Sequence, residues 1–132
     1  MGTRTGTGYS NASVGAIGEL MFAAEARSRG HIVFFPVGEA VAGIDLVLVS
    51  RTGRKYTIQV KAQSTEYVKT VPLVVGARTA AGRGSHPRLV NADVVAVFNQ
   101  GWYLVPRRVF SKKRKTLRVS VVKQHKGWGC IR

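Results

Sequence analysis

IDLVLVSRTGRKYTIQVKA, residues 44–62, decides how this chain folds. Residues 44–50 are almost wholly apolar and β-branched, which predicts a strand. Residues 51–55 carry Thr52-Gly53, a turn signal. Residues 56–62 alternate: Tyr56, Ile58, Val60 and Ala62 face one way, and Thr57, Gln59 and Lys61 the other. Two strands around a tight turn make an antiparallel hairpin, and the rest of the chain supplies what covers it. Upstream, Asn11 or Ser13 can cap a helix running to Arg29, with Gly30 as its stop. Val14, Ile17, Leu20, Met21 and Ala24 are its expected apolar stripe. Residues 31–37 (HIVFFPV) predict a strand. Downstream, residues 93–98 and 102–105 predict a second hairpin across Asn99-Gln100-Gly101. Shorter strands are expected near 73–75 and over 117–122. A helix followed by a run of strands predicts an α+β fold with a mixed β-sheet.

The chain has 132 residues, enough for one domain with its own core, and 45% of them are hydrophobic. Against 21 Lys and Arg stand 6 Asp and Glu, a net charge of +15. A domain so basic repels itself unless it meets a polyanion, and nucleic acid is the obvious one. An enzyme for small neutral substrates has no need of such a field. The basic residues do not lie on one amphipathic helix, so a membrane surface is not the expected partner. Cys130 is the only cysteine, which excludes an internal disulfide and a Cys-rich zinc site. The apolar runs are far shorter than the roughly 20 residues of a membrane span. Residues 1–11 read as a flexible lead-in without an apolar signal segment, so an intracellular place, cytoplasmic or nucleoid-associated, is expected. Residues 76–91 read as a long basic loop, and residues 107–118 as a dense cationic segment. The end of the chain reads as a Gly-rich basic tail in which Trp128 and Cys130 have no assigned role.

With so few acids, each can be weighed. Glu25 and Glu39 read as solvated charges, and Glu66 and Asp93 as structural or counter-charges. Glu19 has no cation three or four residues away to pair with. It projects beside Gly15, Ala23 and Ala26, small residues that permit a close approach. It is either an exposed helix-face acid or a ligand. Asp45 opens an apolar strand and shares a face with Val47 and Val49. It is either a turn-forming cap or a cation-binding carboxylate. The hairpin can bring Asp45 level with Gln59 and Lys61. Asp45, the Gln59 side-chain oxygen and the Val60 carbonyl are hard oxygen donors that Mg2+ accepts. Lys61 is placed to stabilise developing charge or orient a water.

These residues, in this order, resemble the PD-(D/E)XK nuclease superfamily. The pattern is Gly15-Ala16-Ile17-Gly18-Glu19 on a helix, Gly43-Ile44-Asp45-Leu46-Val47 on a strand, and Gln59-Val60-Lys61 after a hairpin. The resemblance covers residues 13–64. Ile44 stands where the family name has Pro, and Gln59 where an acid is usual, which makes Glu19 more important as an acidic group. The Gln-x-Lys variant resembles intron-encoded homing endonucleases. Archaeal-type Holliday-junction resolvases come next.

The resemblance implies a restriction-endonuclease-like core, a mixed sheet flanked by helices. It implies a Mg2+-dependent DNA endonuclease, with Mn2+ as a substitute, in which Glu19, Asp45, Gln59 and Lys61 are catalytic. Asp45, Glu19, Gln59 and Val60 would hold the metal. Phosphate contacts are expected from Arg78, Arg83, Arg88, Arg107, Arg108, Lys112, Lys113, Arg114 and Lys115, with His86 beside them. One such site cuts one strand, so a homodimer or homotetramer is expected on duplex or branched DNA. A non-catalytic basic nucleic-acid-binding protein is the competing reading.

Overall fold

The computed structural model describes residues 11–37, 43–63, 67–75, 88–110 and 115–132. Helix α1 (Asn11–Ser28) leads into strands β1 (Ile32–Phe34), β2 (Leu46–Val49) and β3 (Lys55–Lys61). Short strands β4 (Thr70–Pro72), β5 (Val74–Val75) and β6 (Arg88–Leu89) follow, then β7 (Val94–Phe98) and β8 (Trp102–Pro106). The chain closes with α2 (Arg107–Phe110), β9 (Thr116–Arg118), α3 (Val119–Val122) and a 3-10 turn, Lys123–His125.

The main sheet has five strands in the order β1-β2-β3-β7-β8. Only β3 and β7 run parallel; the other neighbours are antiparallel. The architecture is α+β with a mixed sheet, as the order of elements predicted. A parallel pair needs a long crossover and is buried on both faces. β7 shows this: Val94, Val95, Ala96 and Val97 are all buried. Val94 and Ala96 meet Phe22 and Ala26 of α1, with Leu46, Leu48, Ile58, Leu104 and Trp128, in one core. Val95 and Val97 meet Val71, Leu73, Phe110, Leu117 and Val122 in the other.

Four expectations change. First, α1 does not bury its most apolar stripe. Ile17, Leu20 and Met21 are 39%, 62% and 40% exposed, while Phe22 and Ala26 are fully buried. The cause is close packing. A Cβ on Gly18 would stand 2.6 Å from the Ala62 Cβ, so the helix meets β3 along its small residues. Second, 117–122 is not one strand. After β9 the chain turns helical, because Val119 and Val122, three apart, share the buried side while Ser120 is exposed. Third, the C-terminal stretch is not a loose tail. Trp128 and Ile131 are core residues, and Trp128 stacks on Phe22 with ring centroids 4.9 Å apart. The Arg132 carbonyl oxygen accepts bonds of 2.6 Å from both Ser50 Oγ and Thr52 Oγ1. Fourth, the expected 76–91 loop ends in structure, since Arg88–Leu89 pairs with β5. Residues 76–87 and the lead-in through residue 10 lie outside the described residues.

At the edge, β1 keeps Ile32 49% and Phe34 56% exposed. No helix among the described residues is long and apolar enough to cross a membrane.

Candidate active site

The β2–β3 hairpin sets the register of the site. Leu46 pairs with Ile58 and Val47 with Thr57, so Asp45 comes level with Gln59. The Asp45 amide donates to the Ile58 carbonyl at 2.8 Å, which continues the ladder one residue past the strand. Ile44 packs on one core and Leu46 on the other, so Asp45 lies at the seam between them. Gly43 makes the entry possible. Its φ is +80°, and a Cβ there would stand 2.8 Å from the Asn91 backbone nitrogen. Only glycine fits both conditions.

One oxygen of Asp45 is held twice. Oδ2 accepts from the Val60 backbone N–H at 2.8 Å and from Gln59 Nε2 at 2.8 Å. None of the described groups donates to Oδ1. The sequence expectation placed the Gln59 oxygen and the Val60 carbonyl on a metal. In the metal-free structure the Gln59 amide nitrogen and the Val60 N–H are turned toward Asp45, because a carboxylate attracts donors. Gln59 is buried, and its Oε1 has no hydrogen-bond partner.

Glu19 and Lys61 complete the group. Both are half-buried. Burial, and then the negative charge of Asp45, push the Glu19 carboxyl up to about 7. Asp45 is also raised by burial, against the opposing pull of the Val60 N–H and the Lys61 charge. Burial lowers Lys61, and the Asp45 charge works the other way. Each acid therefore resists ionising without a cation, and the lysine is drawn toward its neutral form. Clusters of such displaced groups are common at functional sites. The four residues singled out on sequence, Glu19, Asp45, Gln59 and Lys61, thus come together at one end of the hairpin.

The other described acids, Asp93 and Glu25, bond within the fold, while Glu39 and Glu66 lie outside the described residues. Asp93 Oδ2 accepts from the Thr57 N–H at 2.9 Å, and the Asp93 N–H donates back to Thr57 Oγ1 at 2.9 Å. Glu25 pairs with Arg29 at 2.9 Å. Among the described residues, no group of three His, Cys, Asp or Glu side chains is placed to hold a metal.

Of the expected phosphate contacts, Arg78, Arg83, Lys112, Lys113 and Arg114 lie outside the described residues, as does His86. Arg88 is described only as backbone in β6. Arg107, Arg108 and Lys115 are exposed. Arg107 is turned aside: its Nη2 donates to Asn91 Oδ1 at 2.7 Å. It follows β8 beyond Pro106, which pairs with Val94, while Lys61 pairs with Val97 at the other end of β7. Arg107 and Lys61 are thus at opposite ends of the sheet. Arg51, Arg54 and Lys55 are exposed at the hairpin turn, the end of the hairpin away from Asp45 and Lys61. Gly18 was legible as the glycine next to Glu19. Its function as a packing surface required knowing what lay beneath it.

No protein-family model matches the chain, and no curated protein matches it. The solved structure of a bacterial homing endonuclease, I-Ssp6803I, is similar, at a TM-score of 0.61 and 22% identity. The match covers 83% of this chain and 78% of that one. The fold is therefore homing-endonuclease-like.

Proposed function

We propose that the chain is a divalent-metal-dependent DNA endonuclease of homing type, with a PD-(D/E)XK-like site. The observation that carries this reading is the convergence of Glu19, Asp45 and Lys61 around a doubly held carboxylate oxygen. The fold's likeness to a homing endonuclease supports it over a junction resolvase. The charge of +15 supports a polyanionic substrate.

The donor set fits a hard cation. Glu19 and Asp45 are adjacent, desolvated carboxylates whose mutual repulsion a divalent ion would relieve. These two would hold Mg2+ or Mn2+, which when bound supplies Lewis-acid activation of the scissile phosphate. The protein's own groups do the rest. Gln59 and the Val60 amide fix the Asp45 rotamer. Lys61 is partly desolvated, so its ammonium interacts strongly with a phosphate oxygen and releases a proton more readily than a free lysine. Arg78, Arg83, Arg88, Arg108, Lys112, Lys113, Arg114 and Lys115 are proposed as phosphate contacts; Arg107, expected among them, is held by Asn91 at the far end of the sheet and is not. A second copy is proposed to supply the second cut. The β1 edge is a suitable meeting place, since residues 31–37 carry no Lys, Arg, Asp or Glu in a strongly cationic chain.

Incubation with supercoiled plasmid and synthetic four-way junctions tests this. Nicking with Mg2+ and none with EDTA is expected, lost in Asp45→Ala and Lys61→Ala proteins that still bind DNA. Binding without cleavage on every substrate would reduce the chain to a basic binding protein. Structure-selective junction cutting would favour a resolvase.

A further inference from the structure

Gln59 is the one member of the site whose polar atoms are divided between a strong bond and none. Its Nε2 lies 2.8 Å from Asp45 Oδ2, while its Oε1 is buried without a partner. Turning the amide over would face an oxygen toward the carboxylate at that distance. Two acceptors would then meet, and the NH2 would be left buried without a good acceptor. The amide orientation is therefore fixed by Asp45, and it favours an ionised Asp45. A metal-ligating oxygen must face the space that the carboxylates face. The Gln59 oxygen is instead buried without a partner, on a residue only 7% exposed, and the amide nitrogen is the atom turned to Asp45. The register partner of Gln59 on the parallel strand β7 is Val95, itself fully buried.

We infer that Gln59 is a positioning residue rather than a metal ligand: it holds Asp45 in one rotamer, ready for a cation that Asp45 and Glu19 bind. The inference rests on the nuclease reading for its consequence, but the Gln59–Asp45 bond itself is tested without metal or DNA. One result is counter-intuitive. Gln59→Glu, which would strengthen the site if position 59 were a ligand, instead replaces a donor with a second carboxylate facing Asp45.

Two measurements decide it. In the metal-free wild-type protein, the Gln59 side-chain NH2 gives widely split proton resonances with slow exchange. They collapse toward ordinary values in Asp45→Ala and persist when Mg2+ alone is added. Thermal melting in EDTA at pH 8 places Gln59→Glu below wild type by roughly 5–10 °C, with Mg2+ recovering much of the loss. A Gln59→Glu protein that melts with wild type in EDTA overturns the inference. So does loss of the amide splitting on adding Mg2+, which would mark a turned, ligating amide. The nuclease reading fails separately: plasmid left uncut with Mg2+, beside an intact amide signature, removes the activity and leaves the bond.

Discussion

Replacing Gly18 by alanine tests whether helix packing sets the site. The added Cβ would stand 2.6 Å from the Ala62 Cβ. Carbon atoms rest at about 3.5–4.0 Å, so the helix or the strand must yield by about 1 Å. Such overpacking costs about 1–3 kcal/mol. Alanine returns about 1 kcal/mol over glycine in a helix interior. The net loss is therefore about 0–2 kcal/mol, a fall in Tm of at most several degrees for a chain of this size. Activity should suffer far more than stability. Glu19 is the next residue on α1, and moving it by about 1 Å relative to Asp45 can cost on the order of 100-fold in rate. Gly15→Ala is the control on the same helix, since nothing lies within 4 Å of a Cβ there. It should raise Tm slightly and leave plasmid nicking unchanged. The assay is the nicking rate with Mg2+ beside a melt of each protein. A Gly18→Ala enzyme that nicks at the wild-type rate would show that the spacing of α1 from β3 does not govern the site.

Other outcomes follow from the same geometry. Gly43→Ala forces a side chain into φ +80° against the Asn91 nitrogen, and should cost about 2–4 kcal/mol by denaturant titration; a neutral change would mean this entry turn is not strained. In EDTA, Glu19 has a folded-state pKa of about 7 against an ordinary 4.5, so its share of stability is full below pH 4.5 and lost as pH rises through 7. Melts at pH 4.5, 6 and 8 should therefore show a decline that Glu19→Gln reduces. Phe34→Lys, on the exposed β1 edge, should shift the sedimenting species toward monomer at micromolar concentration; an unchanged oligomer would place the interface elsewhere.

The hairpin was legible because its signals are local: a turn at Thr52-Gly53 and alternation from Tyr56 to Ala62. That register alone put Asp45 beside Gln59. The direction of the Gln59 amide was not legible, because it depends on which atoms of Asp45 and Val60 come nearest in space. The buried face of α1 was misread for a similar reason. Hydrophobicity favours Ile17, Leu20 and Met21, but closeness to the sheet favours Gly18 and Ala26. The helical turn at Val119–Val122 and the burial of Trp128 also depend on distant partners, Trp128 through Phe22 of α1. Sequence separation hides such contacts.

The parallel pairing of β3 with β7 has a consequence for the order of folding. The β2–β3 hairpin can close from neighbouring residues, but Gln59 pairs on its other side with Val95, 36 positions later. Loop closure must therefore be completed before the charged cluster is desolvated. During synthesis, a chain that has emerged only through residue 90 has the hairpin without its cover, and Asp45 and Lys61 remain ordinary solvated side chains. In this arrangement the site is withheld until β7 has docked, and much of the charge comes later still: through residue 90 the chain carries 11 of its 21 Lys and Arg and 5 of its 6 acids, a net charge of +6 against the final +15.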